Sequence, residues 1–260
     1  MQLCFMTFAC PDWTLDQLIE GAARHGYPGV EPRVTAGHQH GIEPDMPSAA
    51  RRRVRAAFDA SPVAIGCIAT SCRFAAEDPA RRAANVDDLK RHIALAADLG
   101  APRLRVFGGK RPEGLDLPSA IAIVADDLRA AADLAAEAGV QVCLETHDDF
   151  RPGRSVGQVL ERADHPNLLA NWDVMHPARA GEPLDETLRW LGGRIAHVHI
   201  HDDADGKAAL PGDGDLPLSD HLAALRGLDF GGYLSAELWP DIGAPDHILS
   251  EYARRLRALL

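Results

Sequence analysis

The sequence predicts an α/β protein of one domain over residues 1–260, folded as a closed (β/α)8 TIM barrel. Amphipathic helical segments alternate with short apolar segments along the whole chain, a pattern typical of a parallel sheet covered by helices. Eight such units in 260 residues match the usual size of a barrel. No Gly-x-Gly-x-x-Gly sequence follows the first apolar segment, which disfavours an open dinucleotide-binding sheet.

The predicted strands are short apolar runs that mostly begin after a Gly or Pro turn. Gly is favoured there because it accepts the left-handed conformation that ends a helix. The eight predicted strands cover residues 3–8, 30–31, 63–68, 104–107, 140–145, 168–173, 195–200 and 233–237.

The predicted helices lie between these runs. Thr14 and Gln17 have the spacing of a capping box ahead of an amphipathic segment, and Ser155 and Gln158 have the same spacing. The segment around residues 218–225 predicts one short helix. Apolar residues keep helical spacing in two further segments: Val86, Leu89, Ile93 and Ala96; and Ile248, Tyr252, Leu256 and Leu259.

Composition and charge exclude several classes of protein. The formal net charge is −11, which disfavours a nucleic-acid partner bound through phosphate neutralisation. The five cysteines are scattered without a Cys-x-x-Cys spacing, as expected in a reducing compartment. The sequence has neither a basic segment of signal-peptide type at its start nor an apolar run long enough for a membrane partner. We therefore expect a soluble, cytoplasmic protein.

Four polar residues stand at or near the ends of the last four predicted strands: Glu145, Asp173, His199 and Glu237. In a TIM barrel the carboxyl ends of the strands meet at one rim, so these side chains are expected to converge. Three carboxylates and one imidazole suit Mn²⁺, Mg²⁺ or Co²⁺, and Zn²⁺ also accepts such ligands. The spacing predicts a divalent metal site.

Several motifs carry a resemblance to a known superfamily and extend from the second to the eighth predicted strand. They are Gly-Val-Glu31, Leu-Glu145-Thr-His147, Asp173-Val-Met-His176, His197-Val-His199-Ile-His201-Asp202, Pro211-Gly-Asp-Gly214 and Ala-Glu237. With these motifs the chain resembles the xylose isomerase-like TIM barrels, which include sugar epimerases and isomerases, inosose dehydratases and endonuclease IV.

The resemblance implies a metal-dependent sugar epimerase or isomerase. Glu145, Asp173, His199 and Glu237 match the metal ligands of the ketose 3-epimerase branch, and the two glutamates there also act as acid and base. One divalent ion is expected, with Mn²⁺ first and Mg²⁺, Co²⁺ or Zn²⁺ as alternatives. Proton removal beside a carbonyl would give a metal-stabilised enediolate of a carbohydrate substrate. Relatives are often oligomers, which makes a homo-oligomer a further expectation.

Other residues are predicted to contact the substrate. His176 matches the substrate-binding histidine of the family, three residues after the metal aspartate. The remaining predicted contacts are His147, His201, Lys207, Glu31 and Arg105. Trp13, Trp172 and Trp239 stand close to predicted strand ends and could wall the pocket.

Departures from the family patterns keep other functions open. The 3-epimerase branch has an arginine where this chain has Asp205, and Lys207 is the nearest cation. A metal-dependent dehydratase of the inosose or dehydroshikimate type is the main alternative, because the same proton removal can expel a β-hydroxyl. An endonuclease IV-like phosphodiesterase is disfavoured by the acidic balance, and a non-catalytic sugar-binding protein by the complete ligand set.

Overall fold

A curled parallel sheet forms most of the barrel wall in the computed structural model, which describes residues 1–238 and 242–260. Its neighbouring strands are all parallel. In spatial order they are β1 (Gln2–Phe5), β11 (Tyr233–Ala236), β8 (Ile195–Ile200), β7 (Leu168–Asp173), β6 (Gln141–Glu145), β5 (Arg103–Phe107) and β4 (Ile68–Arg73). The predicted (β/α)8 class is therefore confirmed.

Two short strands fill the remaining gap in the wall. β2 (Gly29–Val30) pairs in parallel with β3 (Ala64–Ile65). Single bridges join Met6 to Glu31 and Arg33 to Ala69, which links this pair to both edges of the larger sheet. The predicted strand over 63–68 was wrong in its bounds, because β3 and β4 share that place in the barrel. A Cβ on Gly66 would lie 2.9 Å from the Tyr233 ring, so this ring packs against bare backbone where the pairing is interrupted.

Helices cover the outside of the barrel, and their apolar faces complete the core. They are α1 (Leu15–Arg24), α2 (Ser48–Asp59), α3 (Pro79–Leu99), α4 (Leu117–Glu137), α5 (Gly153–Ala163), α6 (Met175–Arg179), α7 (Leu184–Leu191), α8 (Leu218–Gly227) and α9 (Pro245–Leu259). An antiparallel hairpin that the sequence did not predict consists of β9 (Asp202–Ala204) and β10 (Lys207–Ala209). Within residues 1–238 and 242–260, no helix is both long and apolar enough to cross a membrane.

The two predicted capping boxes had different outcomes. The Thr14 hydroxyl accepts the amide N–H of Gln17, and the Thr14 amide N–H donates to Gln17 Oε1, so the box at α1 is confirmed. Ser155 is buried inside α5, which begins at Gly153, and that prediction was wrong. Glu182 instead accepts the amide N–H groups of Gly153 at 2.7 Å and Arg154 at 3.1 Å. A carboxylate from a distant part of the chain thus accepts hydrogen bonds from the free amides at the start of α5, as a local N-cap side chain would otherwise do.

Candidate metal centre

The four side chains predicted as metal ligands converge at the carboxyl end of the barrel. Glu145 ends β6, Asp173 ends β7, His199 lies in β8 and Glu237 directly follows β11. One potential ligand atom from each lies within 4.8 Å of the others. All four residues are buried.

The His199 ring presents one nitrogen to this cluster and the other to a different carboxylate. Its Nδ1 lies 2.8 Å from Glu145 Oε1 and 3.3 Å from Glu237 Oε2. Its Nε2 lies 3.1 Å from both oxygens of Glu31. An Nε2–H that donates to Glu31 leaves the Nδ1 lone pair directed at the cluster, as in histidines that bind metals.

Glu31 is fully buried on the side of His199 away from Glu145. It also accepts hydrogen bonds from His197 Nε2 at 2.9 Å and from Ser235 Oγ at 2.5 Å. Burial alone would raise the pKa of Glu31, but the charges and hydrogen bonds of His199 and His197 hold it well below its ordinary value. The structure thus places the Glu31 carboxylate against histidine rings and a hydroxyl rather than on the pocket wall.

The cluster fits a divalent cation. Glu145 Oε2 is buried and has no hydrogen-bond partner among the described residues, although Arg105 Nε lies 3.1 Å away in an unfavourable orientation. Buried polar atoms are rarely left unpaired, and three carboxylates in one buried pocket favour a bound cation. Carboxylate oxygens with one imidazole nitrogen suit the borderline and hard divalent ions.

Asp173 is fixed by two histidines and by backbone amides. His201 Nε2 lies 3.1 and 3.2 Å from its two oxygens, and the Met175 amide donates to Oδ1 at 2.9 Å. Burial would raise the pKa of Asp173, but His201 and His176 hold it well below the ordinary value. Burial alone would lower the pKa of His201, but the Asp173 carboxylate raises it to about 9. His201 is therefore placed to orient the aspartate.

Two half-buried histidines and one phenylalanine form a wall beside the cluster. The ring centroids of His147 and His176 are 4.4 Å apart, and those of Phe107 and His147 are 4.7 Å apart. The buried Arg105 guanidinium stacks 4.0 Å from the Phe107 centroid and donates to Thr70 O at 2.7 Å. Three of the predicted substrate residues, His147, His176 and Arg105, thus lie in one pocket wall.

Other predicted contacts lie elsewhere. Lys207 is exposed on β10, and within the described part of the chain no hydrogen bond or ion pair joins it to the cluster. Trp13 packs against Gly21 of α1, and Trp172 packs edge-on against His221 of α8, 5.4 Å between centroids. Trp239 lies outside the described residues.

Sequence reasoning missed two interior residues that support the cluster. Asn171 Nδ2 lies 3.2 Å from His199 Nδ1, and Ser235 donates to Glu31. Each lies two residues before a predicted ligand, Asp173 or Glu237, and so shares its face of the strand. The period-two pattern was the signal that could have identified both.

Asp202 organises the loop that follows the seventh barrel strand. Its buried carboxylate accepts the amide N–H groups of Asp203, Gly212, Gly214 and Leu216 at 2.8 to 3.3 Å. Two of these amides, of Gly212 and Gly214, belong to the Pro211-Gly-Asp-Gly214 motif, which therefore binds this aspartate through its backbone. Gly214 approaches so closely that a Cβ there would lie 2.1 Å from Asp202 Oδ1.

The Asp202→Ala substitution is expected to lower the free energy of unfolding by about 3 kcal/mol, because several amides lose one charged acceptor. Urea denaturation followed by circular dichroism measures this change. Asp220→Ala, at an exposed position in the first turn of α8, is the control, with an expected loss below about 1 kcal/mol. Equal stability of the two variants would contradict the role of Asp202.

Comparison with known proteins agrees with the barrel fold. A sequence model of the family described as xylose isomerase-like TIM barrel matches residues 19–259. The 2-oxo-tetronate isomerase of Pectobacterium atrosepticum is 29% identical over 161 residues, which are 59% of this chain and 60% of that protein. The chain thus matches about three fifths of the length of this relative.

Two further similarities extend over nearly the whole chain. The fructoselysine 3-epimerase of Shigella flexneri is 23% identical over 261 residues, 95% of this chain and 93% of that protein. The crystal structure of IolI protein with a zinc atom superposes with a TM-score of 0.87 at 18% identity, covering 100% of this chain and 98% of that one. At this identity the structural similarity bears on the fold alone. From the family match over residues 19–259, the chain belongs to the xylose isomerase-like TIM barrel family.

Proposed function

We propose that the protein is a divalent-metal-dependent isomerase or epimerase of a sugar or sugar derivative, acting by proton removal beside a carbonyl. The observation that carries this proposal is the convergence of Glu145, Asp173, Glu237 and His199 Nδ1 within 4.8 Å. Relatives named as an isomerase and an epimerase support the same class of reaction.

Glu145, Asp173, His199 and Glu237 would hold the ion. A divalent cation bound there would polarise the substrate carbonyl and so acidify the adjacent C–H bond. Mn²⁺ is our first expectation, and Mg²⁺, Co²⁺ and Zn²⁺ fit the same ligand types.

Glu145 and Glu237 are the proposed acid and base. Each presents one oxygen to His199, at 2.8 and 3.3 Å, so each has a second oxygen with which to accept a substrate proton. Two glutamates that reach the same carbon from opposite faces would invert its configuration. One glutamate that carries the proton between neighbouring carbons would move the carbonyl instead.

His147 and His176 are proposed to bind substrate hydroxyls, since both are half-buried and lie next to each other beside the cluster. His201 and Glu31 are assigned to positioning instead, because they contact Asp173 and His199 respectively. Arg105 is assigned to fixing Glu145.

A proton-exchange assay in D₂O tests the proposal. Neutral ketoses, keto acids and ketose phosphates are incubated with the metal-loaded protein and analysed by NMR. An isomerase or epimerase labels the carbon beside the carbonyl in recovered substrate or product. An unsaturated product would identify the dehydratase alternative, and absence of both label and product would contradict the proposal.

The Glu31→Gln substitution is expected to weaken metal affinity by about 10- to 100-fold, because the amide no longer fixes the His199 tautomer as the carboxylate does. Competition with a fluorescent chelator measures the affinity. Asp127→Asn, which also removes a buried carboxylate but lies in α4, is the matched control and should retain wild-type affinity. If both variants bind metal equally well, Glu31 does not position His199.

A further inference from the structure

A further charged residue of the barrel wall is Arg33, which belongs to the second barrel strand. It follows Glu31 by two residues, so its side chain lies on the same interior face, closer to the rim. Arg33 Nη1 donates to Val34 O at 2.7 Å and Ala69 O at 3.2 Å, and Nη2 donates to Ser71 Oγ. These contacts orient the guanidinium without neutralising its charge.

Arg33 differs from the neighbouring arginines in having no carboxylate partner among the residues that the structure describes. Arg105 lies 3.1 Å from Glu145, and Arg73 lies 3.7 Å from Asp148. Across residues 1–238 and 242–260, no carboxylate oxygen comes within 4.0 Å of the Arg33 nitrogens. Its Nε is buried, and no atom of the same two ranges accepts a hydrogen bond from it. Of the five N–H groups of an arginine, Nε–H and one Nη2–H are thus left over.

The arginines near the cluster and the predicted metal ligands come from different strands of the barrel. Arg33 follows β2, Arg73 ends β4 and Arg105 lies in β5. The predicted metal ligands instead come from β6, β7, β8 and the end of β11. Burial, Arg105 and Arg73 together lower the pKa of Arg33 to about 10, and Glu237 and Glu145 oppose that shift. Arg33 therefore lies within electrostatic reach of both the arginines and the glutamates.

We propose that the substrate carries an anionic group, a carboxylate or a phosphate, which Arg33 binds while the carbonyl lies at the Glu145–Asp173–His199–Glu237 cluster. This inference rests on the proposed function and specifies its substrate class. A guanidinium edge matches two oxygens of either group, and a charge-assisted pair of this kind is stronger than a hydrogen bond to a neutral hydroxyl. With a neutral sugar, the partly buried charge would keep only its contacts with two carbonyls, the Ser71 hydroxyl and the Phe8 ring, none of which is an anion.

The test uses proton exchange in D₂O with neutral and anionic hydroxyketones that share a carbon skeleton. Dihydroxyacetone is neutral, hydroxypyruvate replaces one hydroxymethyl group by a carboxylate, and dihydroxyacetone phosphate carries a phosphate. D-fructose and D-fructose 6-phosphate repeat the comparison for a six-carbon chain. In each case one C–H bond beside the carbonyl breaks and a C–D bond forms, so the reaction needs no other reagent.

We expect faster exchange with a carboxylate or a phosphate than with the matched neutral ketose. The anionic compound that exchanges faster identifies the group that Arg33 binds.

Arg33→Met should raise KM for the anionic substrate by about 10- to 100-fold and change kcat less. Arg33→Lys, which keeps the charge but not the planar fork, should fall between wild type and Arg33→Met. Arg53→Met, at an exposed position in α2, should behave as wild type. Should Arg33→Met fail to fold, Ser71→Ala removes the hydroxyl that orients Arg33 and should raise the same KM.

Three results would overturn the inference. Equal exchange with neutral and anionic ketoses, or a preference for anions that Arg33→Met leaves unchanged, would refute the anion site while the proposed function stands. Absence of exchange with every ketose would refute both.

Discussion

Replacing Glu237 by Gln is expected to slow interconversion of substrate and product by about 10²- to 10⁴-fold, the usual contribution of a general base. The amide keeps the shape of the side chain and one oxygen ligand but accepts a proton far less readily. Glu237 is largely buried, and its Oε2 lies 3.3 Å from His199 Nδ1. Because Gln has the same shape as Glu, the substitution should cause little repacking there. Steady-state assay on the substrate found in the exchange screen measures the effect.

Comparison with Glu145→Gln distinguishes the two possible uses of the glutamates. If they are opposed bases of an epimerase, each variant should still exchange the proton of one epimer and lose that of the other. If one glutamate shuttles the proton, only its variant should lose exchange. Glu161→Gln, at an exposed position in α5, is the control expected to retain full activity. Full activity of both Glu145→Gln and Glu237→Gln would exclude them as acid and base.

Removing divalent metal is expected to lower the melting temperature, Tm, by roughly 8–16 °C. The cause is the concentration of Glu145, Asp173 and Glu237 in one buried pocket, where a cation offsets their mutual repulsion. An ion present at 1,000 times its Kd stabilises the folded state by about 4 kcal/mol. Each kcal/mol shifts the Tm of a domain of this size by about 2–4 °C. Calorimetry of chelator-treated protein, with and without restored Mn²⁺ or Co²⁺, measures the difference.

The variant His199→Ala provides the control for this experiment. It removes the nitrogen ligand, so added metal should no longer raise the Tm by the wild-type amount. A wild-type protein whose Tm does not respond to any of the four divalent ions would contradict the metal site.

Much of the fold could be predicted because its signals are local. Alternating helical and apolar segments identify a parallel barrel, and strand ends such as Glu145 and Asp173 can be read from short runs. The convergence of the four predicted ligands follows from this, since parallel strands of a barrel present their carboxyl ends at one rim. Their roles as ligands and bases stay predictions, whereas their proximity is a property of the structure.

The rest depends on contacts between residues far apart in the chain. Glu31 and His199 are 168 residues apart, and only closure of the barrel brings the carboxylate to the imidazole. Glu182 caps α5 from a segment 29 residues away, so no local pattern marks the true start of the helix at Gly153. That no carboxylate of residues 1–238 and 242–260 lies beside Arg33 is likewise a three-dimensional property.

The central claim is that the cluster of Glu145, Asp173, His199 and Glu237 holds a divalent ion needed for proton removal. Deuterium incorporation beside the substrate carbonyl, measured by NMR before chelation, after chelation and after metal is restored, tests it most directly. We predict exchange in the metal-loaded protein, its loss on chelation and its return with Mn²⁺ or another of the four ions. Exchange at an equal rate in chelated and metal-restored protein would contradict the claim.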